Sequence, residues 1–187
     1  MFSKRNPESI KNVDFCGQRL PREEFEQFEF INCSFSNVSG IEFTDCIFTD
    51  CNLSNASVNN CKLNDVEFRN CKLTGVNFSE SKDFGFLVKF ENCILDYIIF
   101  ENKKLNKSSF SNSKIHGADF SQADLSKCRF HNCDFWDAVF VNSNLAGVDF
   151  TTSKNFTIDP TMNNIRKAKF LSSDLAGLLT KFDIIIK

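Results

Sequence analysis

The sequence predicts an all-β fold in which the chain winds as a four-sided coil, and three repeating features lead to this prediction. A large apolar residue recurs every five positions, a smaller residue precedes it by two positions, and identical large residues recur every twenty positions. A period of five fits neither the 3.6-residue turn of an amphipathic helix nor the two-residue alternation of a half-buried strand. An internal repeat is therefore the first interpretation to consider.

The large apolar position keeps one register through residues 90–150 and is filled mainly by Phe and Leu. The same small-x-large-x-x unit runs in a different phase through residues 38–78, and a weaker third phase covers residues 15–35. The register therefore breaks twice, near residues 36–41 and near residues 79–89.

One large and one small inward residue per repeat suit a coil whose flat sides are one pentapeptide long. The chain then turns a corner every five residues, and four sides close a square. Phe110, Phe130 and Phe150 are twenty residues apart, so stacking at about 4.8 Å per turn would place these identical rings above one another. We therefore expect a dry interior filled by Phe and Leu, with small residues at the corners.

Nine cysteines raise the alternatives of disulfides or a metal site. We interpret most of them as buried small apolar side chains in a reducing compartment, because eight occupy the small inward position. A disulfide between Cys51 and Cys71 stays open, since twenty residues separate them. No Cys-x2-Cys spacing with histidine partners is present, so neither a metal nor another cofactor is predicted. The eight inward cysteines are Cys33, Cys46, Cys51, Cys61, Cys71, Cys93, Cys128 and Cys133.

Motifs of catalysis are missing from the sequence. It contains no phosphate-binding glycine loop, no GxSxG and no HExxH. The two histidines, His116 and His131, each follow a large position and are predicted to point outward, where a histidine without a partner is rarely a general base. We therefore predict that the chain is not an enzyme and has no catalytic residues.

The repeat resembles that of the pentapeptide-repeat family, whose consensus A(D/N)LXX is closest at Ala118-Asp119-Phe120-Ser121-Gln122 and Ala123-Asp124-Leu125-Ser126. The resemblance extends over most of the chain, from about Val13 to Phe150. It implies a right-handed quadrilateral β-helix, the pentapeptide-repeat solenoid, which we expect to end in a short C-terminal helical or strand cap.

Within that family, the length, the break before Phe90 and the segment from Phe150 to Pro160 look most like the topoisomerase-binding branch of McbG, Qnr and MfpA. This resemblance implies a non-enzymatic, DNA-mimicking protein that binds DNA gyrase or topoisomerase IV and protects it from a toxin or quinolone-type inhibitor. Direct nucleic-acid binding is not expected. The alternative is a protein–protein interaction scaffold whose partner is unrelated to topoisomerases.

The chain divides into an N-terminal tail (residues 1–12), the solenoid (13–155) and a C-terminal cap and dimerisation segment (156–187). The N-terminus lacks an apolar signal region and no long apolar run follows, so a cytoplasmic protein without a membrane partner is expected. Asp159 followed by Pro160 predicts a short helix through Arg166, and residues 168–170 and 173–175 resemble one or two returning pentapeptides.

The last apolar stretch has no position in the lumen to occupy. A solenoid must cover or pair its open end, so this stretch either caps its own coil or pairs with a second copy. The family resemblance implies dimerisation through this end, and we therefore expect a homodimer. The expected interface residues are Leu178, Leu179, Phe182, Ile184, Ile185 and Ile186.

The first candidate partner-binding surface is acidic. Between Leu20 and Glu101 the chain has 14 acidic and 6 basic residues, and Glu42, Asp45 and Asp50 lie among the first coils. Two interpretations are open: an ordinary solvated face, or an acidic rod that competes with DNA for a basic protein groove.

Two further candidate surfaces are aromatic. Asp83, Phe84 and Phe86 lie in the second register break, where the rings either turn inward to fill the break or face a partner. The only tyrosine and the only tryptophan occur at outward positions of successive coils, as exposed anchors of a protein interface would. Chance placement is the alternative for this second group, which comprises Asp96, Tyr97, His116, Trp136 and Asp137.

Overall fold

The computed structural model describes residues 8–186, so residues 1–7 of the predicted tail and Lys187 lie outside the described residues. The chain winds as a right-handed, four-sided parallel β-helix, which confirms the predicted fold class. Short strands form parts of its flat sides. Across residues 8–186 they are β1 (Glu8–Lys11), β2 (Asp14–Phe15), β3 (Glu24–Glu26), β4 (Phe28–Ile31), β5 (Ser34–Phe35), β6 (Glu42–Thr44), β7 (Ile47–Thr49), β8 (Lys62–Asn64), β9 (Val66–Arg69), β10 (Val88–Glu91), β11 (Ser109–Ser111) and β12 (Arg129–His131).

Each strand pairs in parallel with a strand one turn earlier or later in the chain. The largest sheet has the order β1-β4-β7-β9-β10-β11-β12, so the chain makes six turns between its first and last strand. Two smaller sheets, β2-β5 and β3-β6-β8, form parts of two other sides. Single parallel bridges, such as Asp149 with Lys169, carry the same pairing beyond β12.

The corners are made by residues with positive φ, most of which are Asn, Asp or Gly. One corner column contains Asn12, Asn32 and Asp50 in successive turns, with φ between 51° and 57°. Their short polar side chains tolerate this left-handed conformation better than branched or bulky ones. They also bond between turns, as where Asn32 Nδ2 donates to Asn12 Oδ1 over 2.8 Å. The left-handed turn itself therefore favours Asn and Asp at these positions.

The lumen is filled by columns of stacked rings, as the twenty-residue match predicts. Phe110 and Phe130 stack at 5.1 Å between ring centroids, and Phe130 and Phe150 at 5.7 Å. Phe170 extends the column by one turn, 5.3 Å from Phe150. Rings of adjacent sides meet edge to face, as Phe130 does with Phe135 at 5.0 Å, so both preferred aromatic geometries are used.

The nine cysteines are free thiols, and all but the exposed Cys16 are buried. Cys71 shows how a corner thiol is used: its Sγ donates to the carbonyl of Phe48 over 3.3 Å and accepts from the amide of Cys51. Burial raises the pKa of Cys61 to about 12 and that of Cys133 to about 11. These groups are therefore protonated, small hydrogen-bonding side chains of the core.

Raising the pH above about 9 should destabilise the fold, because unfolded thiols ionise near pH 8.5 whereas buried ones stay protonated. Their stabilisation is complete below the unfolded pKa and is lost as the pH rises through the folded values of about 11 to 12. Within that window, each such thiol lowers the free energy of unfolding by about 1.4 kcal/mol per pH unit. Urea unfolding at pH 7 and pH 10 measures the loss. A Cys61→Ala, Cys133→Ser variant should lose less, and an equal loss would contradict this explanation.

The register breaks are a shortened and a lengthened turn. Phe15 pairs with Phe35 twenty residues on, whereas Phe30 pairs with Phe48 after only eighteen. Phe68 then pairs with Phe90 after twenty-two residues. Two residues are therefore missing from the first break and two are added at the second, where the chain leaves the flat side as a loop of residues 82–87.

The coil is longer at both ends than the predicted range of 13–155. Strand β1 pairs with β4, and Ile10 lies opposite Phe30 with its side chain against the core, so residues 8–12 belong to the first turn. This part of the first turn is hard to predict from the sequence, because Ile10 is the one large apolar residue that precedes Phe15 in the five-residue register. At the other end, the pairing of Asp149 with Lys169 carries the coil to Phe170.

The helix predicted from Asp159 to Arg166 is wrong, because this segment makes another turn of the coil. Asp159 Oδ1 accepts from the amide of Thr161 over 2.8 Å in a side-chain-stabilised turn, which an N-cap pattern resembles. Asn163 then takes an inward position, where its side chain bonds to the amide of Ser143 and the carbonyl of Phe140.

Of the one or two expected returning pentapeptides, the structure has the one at residues 168–170, because short 3-10 helices begin where the second, at residues 173–175, would lie. The 3-10 helices that the structure describes span Phe78–Glu80, Ser172–Leu178 and Thr180–Phe182. The last two lie over the end of the coil, where the amide of Ile158 donates to the carbonyl of Gly177 over 2.9 Å. At the opposite end, the Arg22 guanidinium lies over the rings of Phe25 and Phe28 at 5.9 and 5.4 Å.

Candidate partner-binding surfaces

The outward residues that follow Leu95, Ile115 and Phe135 lie above one another, as predicted. The amide of Tyr97 donates to the carbonyl of His116 over 2.7 Å, and that of Gly117 donates to the carbonyl of Trp136 over 2.8 Å. The coil therefore brings Asp96, His116 and Trp136 into one outer column, with Tyr97 and Asp137 at the adjacent corner.

Asp96 and His116 each face a charged side chain of the next turn, although Asp96 Oδ1 and His116 Nε2 form no hydrogen bond. Asp96 Oδ2 lies 3.1 Å from Lys114 Nζ. His116 Nε2 lies 3.4 Å from Asp134 Oδ1, which is longer than a well-formed hydrogen bond. Burial raises the pKa of Asp134, but a hydrogen bond from the Asn155 amide and the nearby His116 imidazole outweigh this effect and hold the pKa below its usual value. Asp96 and His116 therefore mainly link adjacent turns.

The aromatic members are free to meet a partner. Tyr97 has 67% of its surface exposed and Trp136 has 57%. Tyr97 occupies a corner with φ 57°, a conformation uncommon for a bulky residue, where Asn55 and Asp137 stand in other turns. A Cβ at Gly117 would lie 2.7 Å from the tyrosine ring, so the ring rests directly over this glycine. The coil has no need of tyrosine here. We call Tyr97, Gly117 and Trp136 the aromatic face.

The structure has a shallow groove beside the aromatic face that was not predicted from the sequence. It has a volume of about 490 Å³ and extends from Asp137 past Val139 and Val141 to Lys181 in the C-terminal segment. Both valines are exposed. They lie at outward positions on either side of the inward Phe140. Apolar residues on both sides of a large position were therefore the feature of the sequence that could have predicted this groove.

The 82–87 loop separates its two aromatic residues. Phe84 has 86% of its surface exposed, whereas Phe86 is partly buried with its ring 6.0 Å from that of Phe78. The interpretation that both rings turn inward is therefore wrong for Phe84. Lys103 lies beneath the loop and is buried. It occupies a small inward position of the repeat, where a buried lysine was not predicted from the sequence.

The acidic candidates differ in their surroundings. Glu42 is paired with Lys82 at 2.8 Å and Lys62 at 3.1 Å, and hydrogen bonds from these two lysines lower its pKa. Asp50 is a corner residue that accepts from Asn70 Nδ2 over 3.1 Å. Asp45, like Asp50, is an exposed corner residue. Of these three, Asp45 presents the least compensated charge.

The predicted dimer residues fall into two groups. Leu178 and Leu179 are only partly exposed, and Leu178 packs against the core of its own chain. Phe182 and Ile184 to Ile186 are exposed. The segment therefore caps its own coil through its first half and leaves its second half uncovered.

No cluster of three or more His, Cys, Asp or Glu side chains suited to a metal ion occurs in residues 8–186. Over the same range, no helix combines the length and apolar character needed to span a membrane.

Comparisons with solved structures give likenesses along nearly the whole chain. Full-length QnrB1, described as a plasmid-mediated fluoroquinolone resistance protein, is 22% identical, with 94% of this chain and 100% of that chain covered and a TM-score of 0.51. A trypsin-treated QnrB1 variant is 21% identical over 97% of this chain and 98% of that chain, also with a TM-score of 0.51. HetL, involved in heterocyst differentiation in the cyanobacterium Nostoc, is 14% identical over 86% of this chain and 81% of that chain, with a TM-score of 0.46.

At these identities the structural likenesses show the fold alone. None of the curated proteins matches the chain in sequence. The family model for the pentapeptide repeat region matches residues 10–84 and 86–159, which is most of the sequence. The chain therefore belongs to the pentapeptide-repeat family.

Proposed function

We propose that this protein is a non-enzymatic binding protein that engages DNA gyrase or topoisomerase IV and protects it from a toxin or quinolone-type inhibitor. The observation that carries the proposal is the aromatic face. Tyr97 is held at a corner that favours small or polar residues, and Trp136 is exposed where its ring gains nothing from the lumen. Neither ring is explained by the stability of the coil.

Exposed tyrosine and tryptophan rings are suited to a protein partner. Both are enriched among the residues that dominate binding energy, because they bury a large area at a small entropic cost. The groove past Val139 and Val141 extends the apolar surface beside Trp136. The coil is held by stacked Phe columns, so this surface is presented without prior ordering, which favours affinity.

The charge distribution supports a partner that normally holds DNA. Residues 8–101 include sixteen acidic and eight basic side chains, whereas residues 102–186 include eight acidic and eleven basic ones. The N-terminal turns would be attracted to a basic groove, whereas the C-terminal turns that include Trp136 gain no such attraction and would bind through their apolar surface. The protein would thus orient on the enzyme as a competitor of DNA, and we propose no direct contact with nucleic acid.

The experiment is a supercoiling assay with purified DNA gyrase, with and without a quinolone; the fold shared with QnrB1 makes quinolone protection the first activity to test. Wild-type protein should restore supercoiling in the presence of the drug, and a Trp136→Ala, Tyr97→Asn variant should restore much less. Absence of any effect of the wild-type protein, with gyrase and with topoisomerase IV, would overturn the proposal.

A second candidate function is a scaffold for a partner unrelated to topoisomerases. Glu42 is neutralised by two lysines and Asp50 suits the left-handed backbone of its corner, so part of the acidic character has a structural explanation. If capture from cell extract through the aromatic face retrieves a protein other than a topoisomerase, this function replaces the first.

The proposal includes a homodimer formed through the C-terminal segment. It also places the protein in the cytoplasm, where free thiols persist. Deleting residues 183–187 removes the exposed isoleucines and leaves the packed Leu178 in place. The shortened chain should be a monomer with an unchanged thermal midpoint, whereas full-length protein should have twice the monomer mass by light scattering. A full-length monomer at micromolar concentration would contradict the dimer.

A further inference from the structure

The 82–87 loop lies over a buried cation. The side chain of Lys103 is 2% exposed, although lysine is among the residues least often buried. In the same corner column, the next two turns have Ala123 and Ser143. A lysine is therefore not what the corner itself demands.

The space for this side chain comes from the register break. The turn between Phe68 and Phe90 has two extra residues, which carry the chain outward above the corner. The lysine stem extends into the resulting space. A buried ammonium group is strongly unfavourable unless it is hydrogen-bonded or paired, so its contacts explain why lysine is tolerated here.

All three contacts of the ammonium are with the loop or its stem. Lys103 Nζ donates to the carbonyl of Ser81 over 2.6 Å and to Asp83 Oδ1 over 2.7 Å. It also lies 5.1 Å from the centre of the Phe86 ring, within the range of a cation–π contact. The lysine thus holds the loop on both sides of Phe84.

A second ion pair fixes the start of the loop: Lys82 Nζ lies 2.8 Å from Glu42 Oε1. Between the fixed points, Gly85 turns the chain with φ 74° and Phe84 projects into solvent. An exposed ring on a restrained support loses little conformational entropy when it enters an apolar pocket.

We propose that Lys103 is a positioning residue that locks the 82–87 loop so that Phe84 is presented to an apolar pocket of a protein partner. This rests on the proposed function for the identity of the partner. The lock itself is a property of the chain and is tested without one.

Two variants test the lock from opposite sides. Lys103→Met retains the stem and removes the ammonium, and Asp83→Ala removes the exposed carboxylate. Hydrogen exchange of the 82–87 amides should accelerate by about tenfold or more in each, because a hydrogen bond to a charged group is lost. Amides of β11 and β12 should exchange as in wild type. Lys104→Ala, a change at the exposed neighbouring lysine, is the matched control and should alter neither region.

Unchanged exchange of the loop amides in both variants would overturn the lock. If Lys103→Met does not fold, Asp83→Ala decides, because the side chain it removes is itself exposed and the ammonium keeps the Ser81 carbonyl as a partner. Equal acceleration in the loop and in β11 would also overturn it, since Lys103 would then support the whole coil.

Binding to DNA gyrase supplies the second readout, with Phe84→Ala as reference. Both lock variants should weaken binding as Phe84→Ala does, and unchanged binding would overturn the positioning role. If the loop is released in both variants but wild-type protein binds no topoisomerase, the lock holds and the proposed function fails.

Discussion

Replacing Phe130 with alanine is expected to lower the free energy of unfolding by about 3–5 kcal/mol. The ring is 6% exposed, stacks between Phe110 and Phe150 and meets the edge of Phe135. Its removal loses the transfer free energy of the ring and leaves a cavity that stacked neighbours on a hydrogen-bonded coil cannot fill. Urea unfolding followed by far-UV circular dichroism measures the change.

Phe84→Ala is the matched control for this substitution, because it removes the same ring from an exposed site. It should change the free energy of unfolding by less than about 0.5 kcal/mol. If the Phe130 variant were as stable as the Phe84 variant, the inward assignment of the Phe columns would be wrong.

Replacing Trp136 with alanine is expected to weaken binding to the partner by about 2 kcal/mol or more, roughly thirtyfold, as for an interface aromatic anchor. Stability should stay within about 1 kcal/mol of wild type, because the ring is largely exposed. The free protein should show solvent-like tryptophan emission, which reports this one residue since the chain has a single tryptophan. Blue-shifted emission before any partner is added would contradict the exposed placement.

Tyr97→Asn is the sharpest companion variant. Asparagine adopts the left-handed corner conformation readily, as at Asn55, so the substitution removes the ring without adding backbone strain. The fold should be as stable as wild type or slightly more so, while binding weakens. A loss of binding that tracks a loss of stability would indicate a structural role for Tyr97 instead.

The sequence sufficed for the coil because its core is periodic. Each Phe or Leu at the large position meets an equivalent residue one turn away, so the spacing alone identifies Phe110, Phe130 and Phe150 as one column. The ends lack such partners. Ile10 is a single weak match at the start, and Asp159 followed by Pro160 gives the same local signal for a helix start and for a turn.

The candidate surfaces were predictable in position but less so in character. Outward placement of Trp136 follows from its register, whereas the pairing of Asp96 with Lys114 depends on which side chains adjacent turns bring together. The left-handed corner conformation also decides which residues are unusual. Aspartate is common at these corners, as at Asp50, whereas a tyrosine such as Tyr97 is rare there. Lys103 breaks the small-residue rule, and only the two-residue insertion above it explains why.

Equilibrium binding of the full chain to DNA gyrase, with duplex DNA as competitor, tests most directly whether the aromatic face recognises a topoisomerase. Wild-type protein should bind and be displaced by DNA, while Trp136→Ala and Tyr97→Asn should each bind at least about tenfold more weakly. The free energy of unfolding of both variants should stay within about 1 kcal/mol of wild type. Wild-type protein that does not bind, or variants that bind as tightly as wild type, would contradict this assignment.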